Sequence, residues 1–331
     1  MQIKPPFLLF LGEKNHPLAA KMSRSIAQWR PELCLGELTS EGNDLTLGLD
    51  RLSIGQAAEA GAKTFILGLA NSGGTISSNW IPYILEALES GLDVLSGMHQ
   101  RLVDIPEIRI MAEKQGRILH DIRHHQGVIE TGKGRKRTGK RILTVGTDCS
   151  VGKMFTALAL EKEMKARGFD VDFRATGQCG LLIAGSGVCI DAVVADFIAG
   201  AVEMISPDND PDHWDIIEGQ GSLFNPSFAG VSAGLLHGAQ PDYLILCHQV
   251  GRKTIKDLPD YAVPGLKECL EANLNIARLT NPDVALMAIS LNCRDLASEE
   301  AHAIIEKVSE EFSVPCFDPM LTGVSTLVDI I

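Results

Sequence analysis

The stretch "VGTDCSVGKMF", residues 145–155, decides how the second half of this chain folds. Gly146, Gly152 and Lys153 stand in it at the spacing of a loop that wraps phosphate groups. The two glycines let the backbone turn and approach an anion without a Cβ in the way, and the lysine bridges phosphate oxygens. The residues expected to bind the cofactor are Gly146, Thr147, Asp148, Cys149, Ser150, Val151, Gly152 and Lys153.

The flanks of this loop favour a phosphate site over a chance Gly-Lys pair in an ordinary turn. "KRILTV" (140–145) predicts a strand, and "GKMFTALALEKEMKARG" (152–168) predicts a helix that ends at Gly168. The strand places the loop at the carboxyl edge of a sheet. The helix directs its first N–H groups and the positive end of its dipole at an anion, so a diphosphate is the expected ligand.

The residue after the lysine departs from the pattern of nucleoside triphosphatases, in which a Ser or Thr hydroxyl at that point ligates Mg²⁺. Met154 cannot supply this oxygen. Thr156 lies about 200° further around the helix, at ~3.6 residues per turn, and is a poor replacement. We therefore expect a loop that holds a diphosphate beside a weakened metal site.

Elsewhere strands and helices alternate, which predicts an α/β fold with mainly parallel sheets. In the first half the predicted strands are 6–12, 32–38, 63–70 and 92–97, and the predicted helices are 16–31, 53–62, 81–91 and 105–116. In the second half a strand is predicted over 170–177, and a helix over 188–203 with Asp191 as its N-cap. The Gly- and Lys/Arg-rich segment 127–140 predicts a linker. We therefore divide the chain into domains 1–135 and 136–331.

The composition limits the classes of partner. The chain has a net charge of −12, and an acidic protein is a poor partner for nucleic acid, whose phosphates select Lys and Arg. The basic run "GKGRKRTGKR" (132–141) is short and is interpreted as a solvated linker. Eight cysteines without a CxxC pair argue against a disulfide framework or a zinc site, and favour a reducing cytoplasm. No apolar run has the length of a membrane span or a signal peptide.

Several polar residues follow predicted strands, at the edge where α/β proteins bind ligands. The strand in "WDIIEGQGSLFNP" (214–226) ends at Glu218, and a carboxylate beside a phosphate loop holds a metal or orients a nucleophile. His99 and His248 are candidate bases for an ammonium group near neutral pH. We assign Glu218, His99 and His248 as candidate catalytic residues, and an ordinary turn or structural role is the alternative for each.

Three further residues are candidates for ligand binding. Arg174 and Arg252 follow strands and are suited to bidentate hydrogen bonding with a substrate carboxylate. Asn292 follows "ALMAISL" (285–291) and is a candidate for reading an adenine base, by analogy with P-loop synthetases. A polar loop at a strand end explains each residue equally well, so both interpretations stay open. No residue is assigned to a metal.

Two motifs resemble those of dethiobiotin synthetases. "GTDCSVGK" (146–153) and "EGQGSL" (218–223) are similar to the "GTDT..VGKT" and "EGAGG" motifs of that family. Its members are P-loop enzymes that use ATP on a small carboxylate-bearing substrate. The resemblance is confined to these motifs, and Met154 stands where the family has Thr.

A second resemblance spans nearly the whole chain. Together with the two motifs, the carrying stretches are "LGLANSGGTISSNW" (67–80), "EALESGLDVLSGMHQRL" (86–102), "RATGQCG" (174–180), "DAVVADFIAGAVE" (191–203) and "HQVGR" (248–252). They resemble a bacterial and archaeal family long described as a domain of unknown function. The resemblance implies a Rossmann-like N-terminal domain and a C-terminal P-loop NTPase-like domain. Some members are described as D-glutamate N-acetyltransferases of the DgcN type, which use acetyl-CoA.

The second resemblance implies an N-acetyltransferase that moves an acetyl group from acetyl-CoA to the amine of an acidic amino acid resembling D-glutamate. Coenzyme A contains a phosphorylated ADP, whose diphosphate fits the loop without triphosphate chemistry. The alternatives are an ATP-dependent ligase or kinase of the dethiobiotin-synthetase type, with ATP and Mg²⁺, and a nucleotide sensor without catalysis. We also expect a small-molecule substrate, no nucleic-acid or membrane partner, and a homo-oligomer.

Overall fold

The computed structural model describes residues 3–13, 20–40, 42–69, 71, 73–125 and 127–331. Contacts group the chain into two compact units, Met1–Gln126 with Gln178–Ala192, and Gly127–Gly177 with Val193–Ile331. The division at residue 135 stays a prediction. The sequence pattern did not foresee that Gln178–Ala192, from the second half of the chain, packs within the first unit.

The first unit is built on a parallel sheet. Its strands are β1 (Phe7–Phe10), β2 (Cys34–Leu38), β3 (Thr64–Leu67), β4 (Asp93–Ser96) and β5 (Leu119–Asp121), and the helices between them are α1 (Lys21–Trp29), α2 (Ile54–Glu59), α3 (Ile81–Glu89) and α4 (Pro106–Gln115). The strand order is β2-β1-β3-β4-β5, with every pair parallel. Every residue of β1, β3 and β4 is buried, as expected for a sheet covered on both faces.

Aromatic side chains fill one side of this sheet. The ring of Phe10 lies 5.5 Å from that of Phe65 and 4.9 Å from that of Tyr83. The helix predicted over 16–31 begins in the structure at Lys21, and residues 16–19 lie outside the described residues. The strand β5 was not predicted, because three residues are too few to show a periodicity.

The second unit is built on a longer parallel sheet. In chain order the second half contains β6 (Lys140–Gly146), α5 (Lys153–Ala166), β7 (Val171–Arg174), α6 (Gln178–Ala184), α7 (Ile198–Ile205), β8 (Trp214–Ile217), α8 (Ala229–Ala239), β9 (Tyr243–Gln249), β10 (Thr254–Ile255), β11 (Leu258–Ala262), α9 (Leu266–Ala277), β12 (Ala285–Asn292), α10 (Ser298–Phe312), β13 (Cys316–Phe317) and α11 (Ser325–Val328). The sheet order is β13-β12-β9-β6-β8-β7, while β10 and β11 form a separate antiparallel hairpin. The predicted α/β class with mainly parallel sheets is confirmed. Because β6 lies between β8 and β9, the loop that follows β6 sits at the middle of the carboxyl edge.

The interpretation of 132–141 as a solvated linker is confirmed for residues 132–136, which are exposed and outside helices and strands, and is wrong for Arg137 and Arg141. Arg137 is only 5% exposed, and its guanidinium donates hydrogen bonds to carbonyl oxygens at the ends of two helices, those of Ser206 after α7 and Ala239 in α8. Arg141 is fully buried in β6. Arg137 therefore binds the carbonyl ends of two helices, where cations are favoured by the helix dipole.

The single helix predicted over 188–203 is also wrong. Two short 3₁₀ turns, Ile190–Ala192 and Ala195–Phe197, precede α7, which begins only at Ile198. Val194 between them has extended backbone angles, so the helix cannot run through it. Periodicity alone could not reveal this break, because the break coincides with the passage from one compact unit to the other.

Candidate functional site

The loop between β6 and α5 has the shape of an anion-binding turn. A Cβ on Gly146 would lie 2.8 Å from Val151 Cγ2 and 3.0 Å from the carbonyl oxygen of Cys247, so only glycine fits there without movement. Ser150 and Gly152 have φ of 57° and 117°, which curl the backbone into the start of α5. Gly152 is the N-cap and has no side chain to cap the helix. A helix start of this kind favours an anion.

Nucleoside triphosphatases have a hydroxyl for Mg²⁺ at position 154, and the side chains at and around this position are buried or bonded to other parts of the protein. Lys153 is 7% exposed, and its Nζ donates to the carbonyl oxygen of Asp148 at 2.7 Å, across the loop. Met154 is buried. Thr156 is fully buried, and its Oγ1 bonds to the carbonyl oxygen of Gly152 at 3.1 Å and to Ser290 Oγ at 2.7 Å. Neither Met154 nor Thr156 therefore offers an oxygen to a cation at this loop.

Asp148 is the centre of a buried polar network beside the loop. Its Oδ2 accepts hydrogen bonds from Arg252 Nη1 at 2.8 Å and from the Lys256 backbone N–H at 2.7 Å, and its Oδ1 accepts from Asn225 Nδ2 at 3.2 Å. Burial alone would raise the pKa of Asp148, but these hydrogen bonds, with one from the Cys149 N–H, hold the pKa below its ordinary value. The carboxylate is therefore ionised at neutral pH.

Arg252, which follows β9, forms hydrogen bonds to the phosphate loop. In addition to Asp148, its Nη1 donates to the carbonyl oxygen of Cys149 at 2.6 Å, and its Nη2 donates to that of Ser150 at 3.4 Å and to the side chain of Gln249. Sequence reasoning placed Arg252 at the correct edge but did not foresee these contacts. Its role in holding a substrate carboxylate stays a prediction.

His248 lies at the end of β9, against the first part of the loop. Its Nδ1 is 2.9 Å from Thr147 Oγ1, and this hydrogen bond fixes the orientation of the ring. Burial, and then the charge of Arg252, lower the pKa of His248 below its ordinary value. The imidazole is therefore neutral near pH 7, which is the state that a base or a neutral hydrogen-bond partner requires.

Glu218 lies on the other side of the loop, at the end of β8. It is 4% exposed, and its Oε2 accepts hydrogen bonds from the backbone N–H groups of Thr176 at 3.1 Å and Gly177 at 3.2 Å. Gly219 follows, where a Cβ would lie 1.7 Å from the carbonyl oxygen of Thr144 in β6. The carboxylate thus orders the turn after β7, and its catalytic or metal-binding role stays a prediction.

Of the two other residues predicted to bind a ligand, Asn292 lies beside the phosphate loop and Arg174 does not. Asn292 lies beside the loop, since a Cβ on Gly152 would be 4.0 Å from the Cβ of Asn292. Arg174 is not brought to the loop. Its Nε donates to Asp215 Oδ1 at 2.6 Å and its Nη2 lies 3.1 Å from Asp172 Oδ2. Because alternate strand residues share a face, Arg174 turns back toward the amino-terminal part of its sheet.

His99 belongs to the first unit, just after β4. Burial, and then the charge of Arg123, lower the pKa of His99 below its ordinary value. Arg123 donates to the carbonyl oxygen of Gly97 at 2.9 Å and pairs with Asp191. Asp191 is therefore the partner of an arginine rather than the predicted N-cap. The Nε2–H of His124 donates to the carbonyl oxygen of His99 at 2.8 Å, so the loop that carries His99 is held at the sheet edge.

Other features of the described residues narrow the choice of site. A cavity of about 390 Å³ is lined by residues from 128–137 and 200–208, and no residue of the loop contributes to it. Its charged residues pair with one another, as Lys133 does with Glu130 and Arg135 with Asp208.

Within the described ranges no group of His, Cys, Asp and Glu side chains is arranged to hold a metal ion, and no helix has the length and apolarity to cross a membrane. The eight cysteines, all of which lie within the described ranges, form no disulfide with one another.

Comparisons with known proteins agree with this architecture. Residues 35–125 match the family model described as a domain of unknown function, DUF1611_N, Rossmann-like domain, and residues 128–328 match the DUF1611_C P-loop domain. A protein from Pseudoalteromonas named D-glutamate N-acetyltransferase is 53% identical over 99% of both chains. One of the same name from Tritonibacter scottomollicae is 49% identical over 99% of this chain and 98% of its own. A crystal structure of a DUF1611 family protein from Anabaena variabilis aligns over 98% of both chains with a TM-score of 0.89 and 28% identity. The chain belongs to the DUF1611 family, with a Rossmann-like N-terminal and a P-loop C-terminal domain.

Proposed function

We propose that this protein transfers an acetyl group from acetyl-CoA to the amine of D-glutamate, with the diphosphate of coenzyme A held by the loop at 146–153. The observation that carries the proposal is the full-length identity of 53% and 49% to two proteins named D-glutamate N-acetyltransferase. These relatives support N-acetyltransferase activity. The acyl donor and the roles of individual residues are part of the proposal.

The loop supports a coenzyme A ester over Mg²⁺–ATP as its ligand. Backbone N–H groups at the start of α5 and the ammonium of Lys153 suit a diphosphate. Met154 presents a thioether, a soft and weak ligand for a hard cation. Asp148, the carboxylate within the loop, already accepts three hydrogen bonds from protein donors outside the loop. A triphosphatase needs more metal-binding oxygen at this point than the loop provides.

The length of coenzyme A separates two regions of the site. About 13 bonds join the diphosphate to the thioester sulfur, which is roughly 15 Å when extended, at ~3.3–3.6 Å for every three bonds of an extended chain. Side chains that touch the loop therefore lie at the nucleotide end of an extended cofactor. We assign His248 to that end because it bonds to Thr147, and Glu218, whose described side-chain hydrogen bonds are to Thr176 and Gly177, keeps its candidate role. We keep His99 as the candidate base on its chemistry, because burial and then Arg123 leave its imidazole neutral.

The reaction forms a C–N bond and breaks a C–S bond. The lone pair of the amine attacks the thioester carbonyl carbon, the amine proton passes to a base, and coenzyme A leaves as the thiol. N–H donors directed at the carbonyl oxygen lower the barrier, because negative charge develops there in the transition state. Arg252 contacts the loop and therefore lies at the nucleotide end, too far from the thioester of an extended cofactor to hold the acceptor carboxylate. Arg174 stays a proposed carboxylate ligand, although its described hydrogen bonds are to Asp215 and Asp172.

The test measures free thiol from acetyl-CoA and ADP from ATP in parallel, with D- and L-glutamate as acceptors and with or without EDTA. We expect D-glutamate-dependent thiol release that persists in EDTA. Lys153→Ala should weaken coenzyme A binding about 10- to 100-fold in calorimetry, the range for a hydrogen bond to a charged group. Metal-dependent ADP release without thiol release would overturn the proposal in favour of the ligase. Nucleotide binding without turnover of either donor would favour a sensor. A cytoplasmic location and a homo-oligomeric state stay predictions.

A further inference from the structure

The β10–β11 hairpin is fixed to the phosphate loop at its tip. The tip residues are Lys256 and Asp257, and Asp257 has a φ of 63°. The backbone N–H of Lys256 donates to Asp148 Oδ2 at 2.7 Å. Four residues earlier in the chain, Arg252 holds the same carboxylate oxygen at 2.8 Å. Both ends of the segment 252–256 are thus attached to the loop through one buried side chain.

The ammonium of Lys256 is not committed to the fold. Its side chain is 44% exposed, and the carboxylate nearest to it, that of Asp257, is 4.0 Å away and itself 86% exposed. Lys153 and Arg252, by contrast, donate to carbonyl oxygens of the loop. A lysine side chain reaches roughly 6 Å beyond its Cα, counting five bonds of extended chain. Lys256 can therefore contact an anion bound beside the loop without any movement of the backbone.

The identity of that anion follows from distance. The acceptor amino acid must meet the thioester, roughly 15 Å from the diphosphate when the cofactor is extended, so its carboxylates lie outside the reach of Lys256. Coenzyme A carries a second anion at its nucleotide end, the 3′-phosphate of the ribose, which six bonds place within roughly 7 Å of the diphosphate. ADP and ATP lack this group. A cation on the hairpin tip is therefore suited to distinguish coenzyme A from adenine nucleotides.

We infer that Lys256 binds the ribose 3′-phosphate of coenzyme A and gives the loop its preference for coenzyme A over ligands that lack this phosphate. The inference rests on the proposed function, because it requires a coenzyme A ester at the loop. Asp148 is the positioning residue of this subsite, since it holds the backbone of Lys256 in place. The neighbouring Lys253 is also exposed, as are Asp257 and Asp260.

The experiment compares the binding of coenzyme A and 3′-dephospho-coenzyme A to the full-length protein by isothermal titration calorimetry. The wild-type protein should bind coenzyme A about 10- to 100-fold more tightly, the range for one hydrogen bond between charged groups. Lys256→Gln should reduce this ratio toward one by weakening coenzyme A alone, and Lys256→Arg should retain most of it. Lys307→Gln, an exposed lysine on α10, is the control and should leave both affinities unchanged.

Each outcome decides between the two proposals. If the wild-type protein binds both ligands equally, the 3′-phosphate subsite is excluded while the loop remains a coenzyme A site. If Lys256→Gln weakens both ligands by the same factor, Lys256 contacts the diphosphate and the inference is wrong. If neither ligand binds the wild-type protein, the proposed function fails and the inference fails with it. Near-identical melting temperatures of the variants would show that these differences do not come from misfolding.

Discussion

Asp148 and Arg252 form a largely buried ion pair, with Arg252 Nη1 2.8 Å from Asp148 Oδ2 and side-chain exposures of 0% and 15%. The pair joins the phosphate loop after β6 to the segment after β9. The same carboxylate also accepts from Asn225, in the turn after β8. One side chain therefore sets the relative position of three segments at the carboxyl edge, and the shape of the loop depends on it.

Asp148→Asn tests this dependence. The amide can retain part of the hydrogen bonding but leaves the guanidinium of Arg252 without its counter-charge. Removing one partner of a buried pair is strongly destabilising, and since Arg252 keeps some solvent contact we expect a loss of about 2–4 kcal/mol in the free energy of unfolding. Urea titration measures it. Asp208→Asn, which breaks the exposed pair with Arg135, is the control and should cost less. Equal losses in the two variants would show that Asp148 has no special role.

Gly219→Ala tests the close contact between β8 and β6. The added Cβ would lie 1.7 Å from the carbonyl oxygen of Thr144, so the strand end must move. We expect a large loss of stability, about 2 kcal/mol or more, together with weaker coenzyme A binding. Gly230→Ala on α8 is the matched control, because nothing lies within 4 Å of its added Cβ. It should be neutral or stabilising by about 0.5–1 kcal/mol, as helical alanine is favoured over glycine. Thermal melts of both variants, read side by side, decide the point.

Elements that depend on local sequence pattern could be predicted, whereas contacts between residues far apart in the chain could not. The loop at 146–153 and most of the alternating strands and helices follow from periodicity, glycine placement and end signals, which are properties of neighbouring residues. Lys256 and Asn225 were missed as partners of Asp148, because these contacts join residues 108 and 77 positions apart. Arg174 was placed by its position after a strand, and the carboxylate that holds it, Asp215, is 41 positions away. The burial of Arg137 could not be predicted for the same reason, because a run of charged residues does not indicate which helix ends one of its members contacts.

Glu218→Gln separates a structural carboxylate from a catalytic one. The glutamine carbonyl oxygen can still accept from the N–H groups of Thr176 and Gly177, but as a neutral rather than a charged acceptor. If the carboxylate only orders this turn, we expect a loss of about 1–2 kcal/mol in stability and little change in turnover per folded molecule. If it takes part in the chemistry, turnover should fall about 100-fold or more while the melting temperature stays near wild type. Melting temperature and initial rate, both measured on one preparation, give opposite answers for the two roles.

The pH dependence of stability should reveal the buried state of His248. Its pKa in the folded protein is lowered by burial and then by Arg252. As the pH falls through ~6.5, the ordinary pKa of histidine, the unfolded chain therefore takes up a proton that the folded protein does not, and stability decreases. His248→Gln removes this contribution, so the difference in unfolding free energy between variant and wild type should move in favour of the variant from pH 7.5 to pH 5.5. The other buried histidines are present in both proteins and cancel. A difference that stays constant across this range, in urea titrations at each pH, would contradict the buried neutral state.

The last prediction concerns Met154, where nucleoside triphosphatases have a hydroxyl for Mg²⁺. If the loop serves a coenzyme A ester, Met154→Thr should leave acetyl transfer within about threefold of wild type, both with and without EDTA, because no metal enters the reaction. The same substitution adds a hydroxyl next to Lys153, and we expect it to strengthen binding of ATP only when Mg²⁺ is present. Met154→Leu is the matched control, since it keeps the apolar volume of this buried side chain and adds no oxygen. Calorimetry with ATP and Mg²⁺ should therefore show tighter binding to Met154→Thr than to Met154→Leu. The rate of thiol release should be similar for the two variants. If EDTA abolishes thiol release in the wild-type protein, a metal is required after all, and some side chain other than Met154 and the buried Thr156 must hold it.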